Sequence, residues 1–89
     1  MHLVAVTLTC SDPVPPRLAA GAVTDLIWLH CRRADRVEHI RTRVDLDRCR
    51  IAAAIIADSP DAAAANLRSV CERALQQVPA LRGWRLSLT

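Results

Sequence analysis

Two neighbouring stretches of alternating apolar residues, 37–44 and 49–57, constrain the fold more than any other feature of the chain. An apolar residue at every second position indicates a β-strand with one buried face. A two-residue turn at Leu46-Asp47 would join the two strands as a hairpin. That turn sets a register in which the inward positions of both strands meet, pairing residue 44 with 49, 42 with 51 and 40 with 53.

A helix is predicted on each side of this hairpin. The first runs from about Arg17 to Arg33, and the second runs from Ser59-Pro60 to about Val78. Ser59 is a favoured N-cap residue and Pro60 suits the first helical position, so the start of the second helix is well marked. The apolar stripe of the first helix recurs at helical spacing and comprises Leu18, Ala22, Leu26 and Leu29, widened by Val23, Ile27 and His30.

Two further strands are predicted at the two ends of the chain, over residues 2–10 and 84–88, because apolar residues alternate there as well. Prolines at positions 13, 15 and 16 predict a loop after the first strand. The order β-α-β-β-α-β with right-handed crossovers predicts a ferredoxin-like α+β sandwich. We expect one domain over residues 1–89, with strand order 4-1-3-2 in an antiparallel sheet and both helices on one face.

The other face of this predicted sheet has no helix to cover it. Its centre would carry small or apolar residues, namely Leu3, Ala5, Thr7, Ala52, Ala54 and Ile56. Its border would be basic and would comprise His39, Arg41, Arg43, Arg50 and Arg85. Because proteins seldom leave contiguous apolar surface in contact with water, we expect this face to pack against a second copy, as a homodimer, or against a partner protein.

The predicted register places Arg43 directly opposite Arg50, and like charges at such positions are unfavourable. Asp45, opposite Arg48 in this register, would offset part of the repulsion. An anion bound between Arg41, Arg43 and Arg50 would offset the rest, because guanidinium groups suit phosphate and carboxylate. The alternative is a pair of arginine side chains that splay apart in water.

The composition argues against several classes of function. The net charge is only +3, and all twelve basic residues are arginine, which is typical of the codon usage of a GC-rich genome. The exposed positions of the central strands hold no aromatic residue on which bases could stack, so no nucleic-acid partner is expected. The four cysteines are widely spaced, which predicts buried free thiols rather than a metal site.

No glycine-rich loop or histidine arrangement predicts a cofactor or a catalytic residue. Apolar runs are too short for a membrane helix and the first residues lack a signal-peptide pattern, so no membrane association and a cytoplasmic location are expected. The sequence thus predicts a small non-enzymatic interaction or regulatory module. The alternative is a small-molecule-binding or enzymatic domain of the dimeric α/β-barrel type, with a pocket between sheet and helices near Trp28, His30 and Trp84.

Overall fold

The structure, a computed structural model, describes residues 1–11 and 17–87. These residues form four strands, two helices and two short 3₁₀ turns. In chain order the elements are β1 (His2–Cys10), α1 (Ala20–Leu29), a 3₁₀ turn (Arg33–Asp35), β2 (Val37–Val44), β3 (Arg48–Ile55), α2 (Pro60–Gln77), a second 3₁₀ turn (Pro79–Leu81) and β4 (Trp84–Leu86). The sheet is antiparallel in the order β2-β3-β1-β4, which confirms the predicted ferredoxin-like fold.

The central hairpin has the predicted register. Ile40 pairs with Ala53, Thr42 with Ile51 and Val44 with Cys49. The Asp45 amide donates to the Arg48 carbonyl over 2.8 Å, which closes the turn at Leu46-Asp47. A bulge between Val37 and His39 interrupts the ladder near the start of β2. The sheet is therefore regular along the part of the hairpin that carries the arginines.

Both helices pack on the same face of the sheet. Helix α1 lies mainly over β2, whereas α2 lies mainly over β1 and β4. The side chains between the helices and the sheet form one cluster, whose fully buried members include Leu8, Val23, Ile27, Ile51, Ile55, Leu67 and Val70. Both helices thus cover one side of the sheet. No described residues form a second layer on the opposite side.

Helix α1 is shorter than the predicted span of residues 17–33, and its buried stripe differs. Only Val23 and Ile27 are buried, whereas Leu29 is 77 % exposed. The helix ends because the chain turns at Arg32, which is extended, into the first 3₁₀ turn. Arg73 of α2 donates to the His30 carbonyl, over 3.0 Å from Nη2, so a side chain satisfies a backbone acceptor that a further helical turn would otherwise use.

The remaining boundaries differ little from prediction. Ser59 Oγ accepts from the Ala62 amide over 3.1 Å, which confirms the predicted N-cap of α2. Strand β3 ends at Ile55 rather than at residue 57, and β4 ends at Leu86. Gly83, with φ of 85°, supplies the left-handed residue that the turn into β4 requires. The prolines of the predicted loop and residue 88, the last of the predicted fourth strand, lie outside the described residues.

Candidate interaction surface

The uncovered side of the sheet, here called the open face, is formed by alternate residues of all four strands. Ladder pairing fixes which of these residues are neighbours. Leu3 of β1, Ala54 of β3 and His39 of β2 lie in one row across the sheet. The next row contains Ala5, Ala52 and Arg41. The row after that contains Thr7, Arg50 and Arg43, and the last contains Arg85, Thr9 and Arg48.

These rows divide the open face into two halves along the strands. The apolar half lies at the start of β1 and comprises Leu3, Ala5, Ala52 and Ala54. Ile56, predicted for this face, follows the end of β3 and lies outside the paired rows. The cationic half lies toward the hairpin turn and comprises Arg43, Arg48, Arg50 and Arg85, with Arg41 at the boundary. The arginines therefore do not surround the apolar residues, as the sequence-based prediction of a basic border has it, but gather at one end.

An exposed leucine, Leu3, lies beside the alanines in the apolar half. The Leu3 side chain is 86 % exposed, although it lies in a strand whose other face is in the core. Beside it is a shallow open depression of about 370 Å³, lined by Leu3, His39, Arg41, Ala52, Ala53 and Ala54. The small side chains of β3 thus form a trough between the larger residues of β1 and β2. Such a trough can accept apolar side chains from a second layer.

The predicted interface residues are not equally available to a partner. Leu3 and Ala5 are exposed, whereas Thr7, Ala52 and Ile56 are partly buried. Ala54 is only 5 % exposed, because its neighbours in the row already cover it. A partner would therefore gain most of its apolar contact from Leu3.

Five exposed arginines, the four of the cationic half and Arg41 at its boundary, share one surface. Arg43 and Arg50 are paired across β2 and β3 as predicted. Thr9 lies between two arginines, paired with Arg48 on one side and Arg85 on the other. Among the described residues, none of the five has an acidic group within 4.0 Å. Sequence reasoning missed Arg48, whose alternation with Arg50 along β3 was the available signal.

The single ion pair in the described part of the chain lies on the helix side instead. Arg73 of α2 contacts Asp35 Oδ2 at 2.5 Å, and that same oxygen accepts from the Arg32 amide at 2.7 Å. Asp35 is 8 % exposed. These bonds fasten the segment after α1 onto α2, which makes Arg73 and Asp35 structural groups rather than a candidate site.

The residues named for the alternative pocket lie on two parts of the fold. Trp28 and His30 lie at the end of α1, which packs over the β2 edge of the sheet. Trp84 lies in β4 at the opposite edge, with α2 above it. His30 Nδ1 is bound to the Leu26 carbonyl at 2.9 Å, one helical turn earlier. The fold therefore places Trp84 at the other edge of the sheet from Trp28 and His30.

The cysteines are free thiols, and three of them are buried as predicted: Cys10, Cys49 and Cys71. Burial raises the pKa of Cys49 to about 11 and, with smaller contributions from neighbouring charges, the pKa of Cys71 to about 12. Burial also raises the pKa of Cys31, and nearby Asp35 adds to the effect. These three thiols are protonated at neutral pH, so they pack as small apolar side chains rather than act as nucleophiles.

The described residues contain no group of three or more histidine, cysteine or acidic side chains placed to hold a metal ion. None of their helices has the length and apolar character needed to cross a membrane.

The chain matches no protein-family model, and comparisons with curated proteins and with solved structures found no match. Fold and surface together define its class: a ferredoxin-like α+β domain whose sheet has one face without a covering layer. That face carries an apolar half and a cationic half.

Proposed function

We propose that this chain is a non-enzymatic interaction module, regulatory rather than catalytic, that self-associates through the open face of its sheet. The main support for self-association is the apolar half, where the exposed Leu3 side chain lies beside the trough formed by Ala52 and Ala54. A small domain with one helix layer gains stability when a second layer covers such a face. The second form of this proposal is that the same face docks on a partner protein.

A twofold dimer suits the apolar half. In a symmetric dimer the same patch serves on both chains, so Leu3 of each copy can enter the alanine trough of the other. The trough favours close approach, because alanine side chains keep the two backbones near each other. Sheets that pack face to face stand about 10 Å apart, with interdigitating side chains filling the space.

The compartment follows from the thiols. Four free cysteines persist most readily in a reducing environment, and three of them are buried where they add to the core. We therefore propose a cytoplasmic location for the module.

Light scattering coupled to size-exclusion chromatography, across a range of protein concentrations, tests the proposed function. We expect mass to rise toward that of a dimer as concentration rises. Ala54→Arg, which places a long cation in the trough, should hold the chain as a monomer. Because Ala54 is 5 % exposed, circular dichroism must accompany the experiment to show that this variant is folded.

Leu29→Arg is the matched control, since Leu29 is 77 % exposed but lies at the end of α1, on the helix side of the sheet. It adds the same charge away from both halves of the open face, so it should dimerise like the unmodified chain. A chain that stays monomeric at every concentration, or a folded Ala54→Arg variant with unchanged association, would overturn the proposal.

A further inference from the structure

The two halves of the open face place a limit on how two copies can pair. The apolar half spans two strands, β1 and β3, and about five residues along them, or roughly 160 Å² in projection, from strand spacings of about 4.8 Å and a rise of about 3.3 Å per residue. A standard stable interface buries about 800 Å² on each partner. The apolar half alone is therefore too small, and a stable dimer needs the cationic half as well.

Covering the cationic half raises an electrostatic difficulty. If the strands of two copies stack row over row, Arg43 and Arg50 face the same residues of the other copy. If one copy is reversed along the strands about the middle of the face, these arginines instead lie over the row of Ala5, Ala52 and Arg41. In both arrangements the guanidinium groups lose water without gaining a carboxylate, and a charge that is buried without a partner is unfavourable.

A bound anion removes this difficulty. Arg50 has Arg43 beside it on β2 and Thr7 beside it on β1, and Arg41 lies at the diagonal position. Opposite residues in such a ladder have Cβ atoms about 5 Å apart and diagonal ones about 7 to 8 Å apart. Three long guanidinium side chains and one hydroxyl can therefore reach a single tetrahedral oxyanion. Guanidinium groups bind such oxyanions with two parallel hydrogen bonds each.

We propose that Arg41, Arg43 and Arg50, with Thr7 beside them, bind a phosphate-class dianion, and that this anion strengthens the pairing of two open faces. The inference rests on the proposed function, since it assigns an effector to the same surface. The anion is small rather than a nucleic-acid strand, because neither tryptophan lies on the open face: Trp28 is on α1 and Trp84 is buried on the helix side. Single-stranded nucleic acid is bound largely by stacking on aromatic side chains.

Sedimentation equilibrium in buffers of matched ionic strength tests the inference, with chloride, sulfate or inorganic phosphate as the anion. Matching is essential, since any salt screens repulsion between arginines. We expect dimerisation to be at least about fivefold tighter in phosphate than in chloride, which is the lower end of typical coupling between two sites. Amide shifts at residues 41, 43 and 50 during a phosphate titration should report the binding directly.

The double variant Arg43→Gln/Arg50→Gln separates the effect of the anion on dimerisation from the contribution of the apolar half. Without its opposed charges it should dimerise more tightly than the unmodified chain in chloride, and it should lose the response to phosphate. Arg68→Gln/Arg82→Gln is the matched control, because both residues are exposed and lie off the open face. This control removes the same net charge and should keep the phosphate response.

The outcomes distinguish the two proposals. If the chain dimerises and Ala54→Arg prevents it, but chloride and phosphate act alike, only the anion inference is overturned. The same conclusion follows if the control double variant loses the response as well, or if a short RNA strand binds the arginines and phosphate does not. If the chain is monomeric under all conditions, the proposed function fails, and the inference fails with it.

Discussion

Replacing Leu3 by alanine separates the stability of the domain from the affinity of its open face. The side chain is 86 % exposed, so its loss removes little buried surface from the single chain. Exposed substitutions of this kind change the free energy of unfolding by no more than about 0.5 kcal/mol. Chemical unfolding at a concentration where the chain is monomeric should therefore give nearly the same midpoint for Leu3→Ala as for the unmodified chain.

The same change should weaken self-association strongly. Leucine has three more carbon atoms than alanine, and each buried methylene contributes about 0.8 kcal/mol, so full burial is worth about 2.4 kcal/mol per copy. In a twofold dimer the residue is lost from both copies, so the free energy of association should fall by about 5 kcal/mol if Leu3 is fully buried and by roughly half of that if it is half buried. Since about 1.4 kcal/mol is a factor of ten, the dissociation constant of the dimer should rise roughly 50-fold to 3,000-fold.

Sedimentation velocity over a series of concentrations measures that constant, and Leu46→Ala provides the comparison. Leu46 is even more exposed, at 91 %, but lies in the hairpin turn. Its removal should leave the dissociation constant unchanged. Equal effects of the two leucines on dimerisation would refute the reasoning, because they would show that the apolar half has no special role.

Three further predictions concern the stability of the fold. Ser59→Ala removes the acceptor at the start of α2 and should lower the free energy of unfolding by about 1 kcal/mol, or the melting temperature by about 4 to 8 °C. Arg73→Leu should cost about 3 kcal/mol in urea unfolding, because it leaves the buried Asp35 carboxylate without its cation, and adding Asp35→Asn should restore part of the loss. Above pH 9 the free energy of unfolding should fall by up to about 1.4 kcal/mol per pH unit for each of Cys49 and Cys71. Their pKa values of about 11 and 12 in the folded chain lie above the ordinary 9.0, so their contribution is complete below pH 9 and is lost as pH rises toward those values. Urea unfolding at several alkaline pH values should show a smaller slope for Cys71→Ala, and an unchanged slope would contradict the assignment.

The register of the central hairpin between Ile40 and Ala53 could be predicted from the sequence, whereas the bulge between Val37 and His39 could not. A slip of one position would turn Ile40, Ile51 and their neighbours from the core to the solvent, so the apolar pattern leaves one favourable register. The start of α2 was equally predictable, because the N-cap interaction is local and joins residues only three positions apart.

The end of α1 could not be predicted in this way. Its last carbonyl groups are satisfied partly by Arg73, which is 43 positions further along the chain. The predicted apolar stripe of α1 was wrong for a related reason. The helix is short and packs over the β2 edge of the sheet, so Val23 and Ile27 reach the core whereas Leu29 does not. Neither effect leaves a signal in the local spacing of residues.

The division of the open face also lies beyond sequence patterns. Alternation alone shows which residues share a face, and it identified most of those on this one. It cannot show how far β1 is shifted along β3, because a helix and a hairpin separate the two strands rather than a short turn. The observed pairing of Leu3 with Ala54 and of Thr9 with Arg48 fixes that shift. Only then do the apolar residues and the arginines separate into two ends.

That separation has a consequence for any partner of the open face. The apolar half favours burial, whereas the cationic half favours water or an opposite charge, and both belong to one rigid sheet. A partner that covers the whole face must therefore bring an apolar surface and a negative charge at a fixed spacing along the strands. A second copy supplies the first but not the second, since its own open face carries the same arginines. For this reason the affinity of two copies should depend on an anion, and removing opposed arginines should strengthen a contact that removing Leu3 weakens.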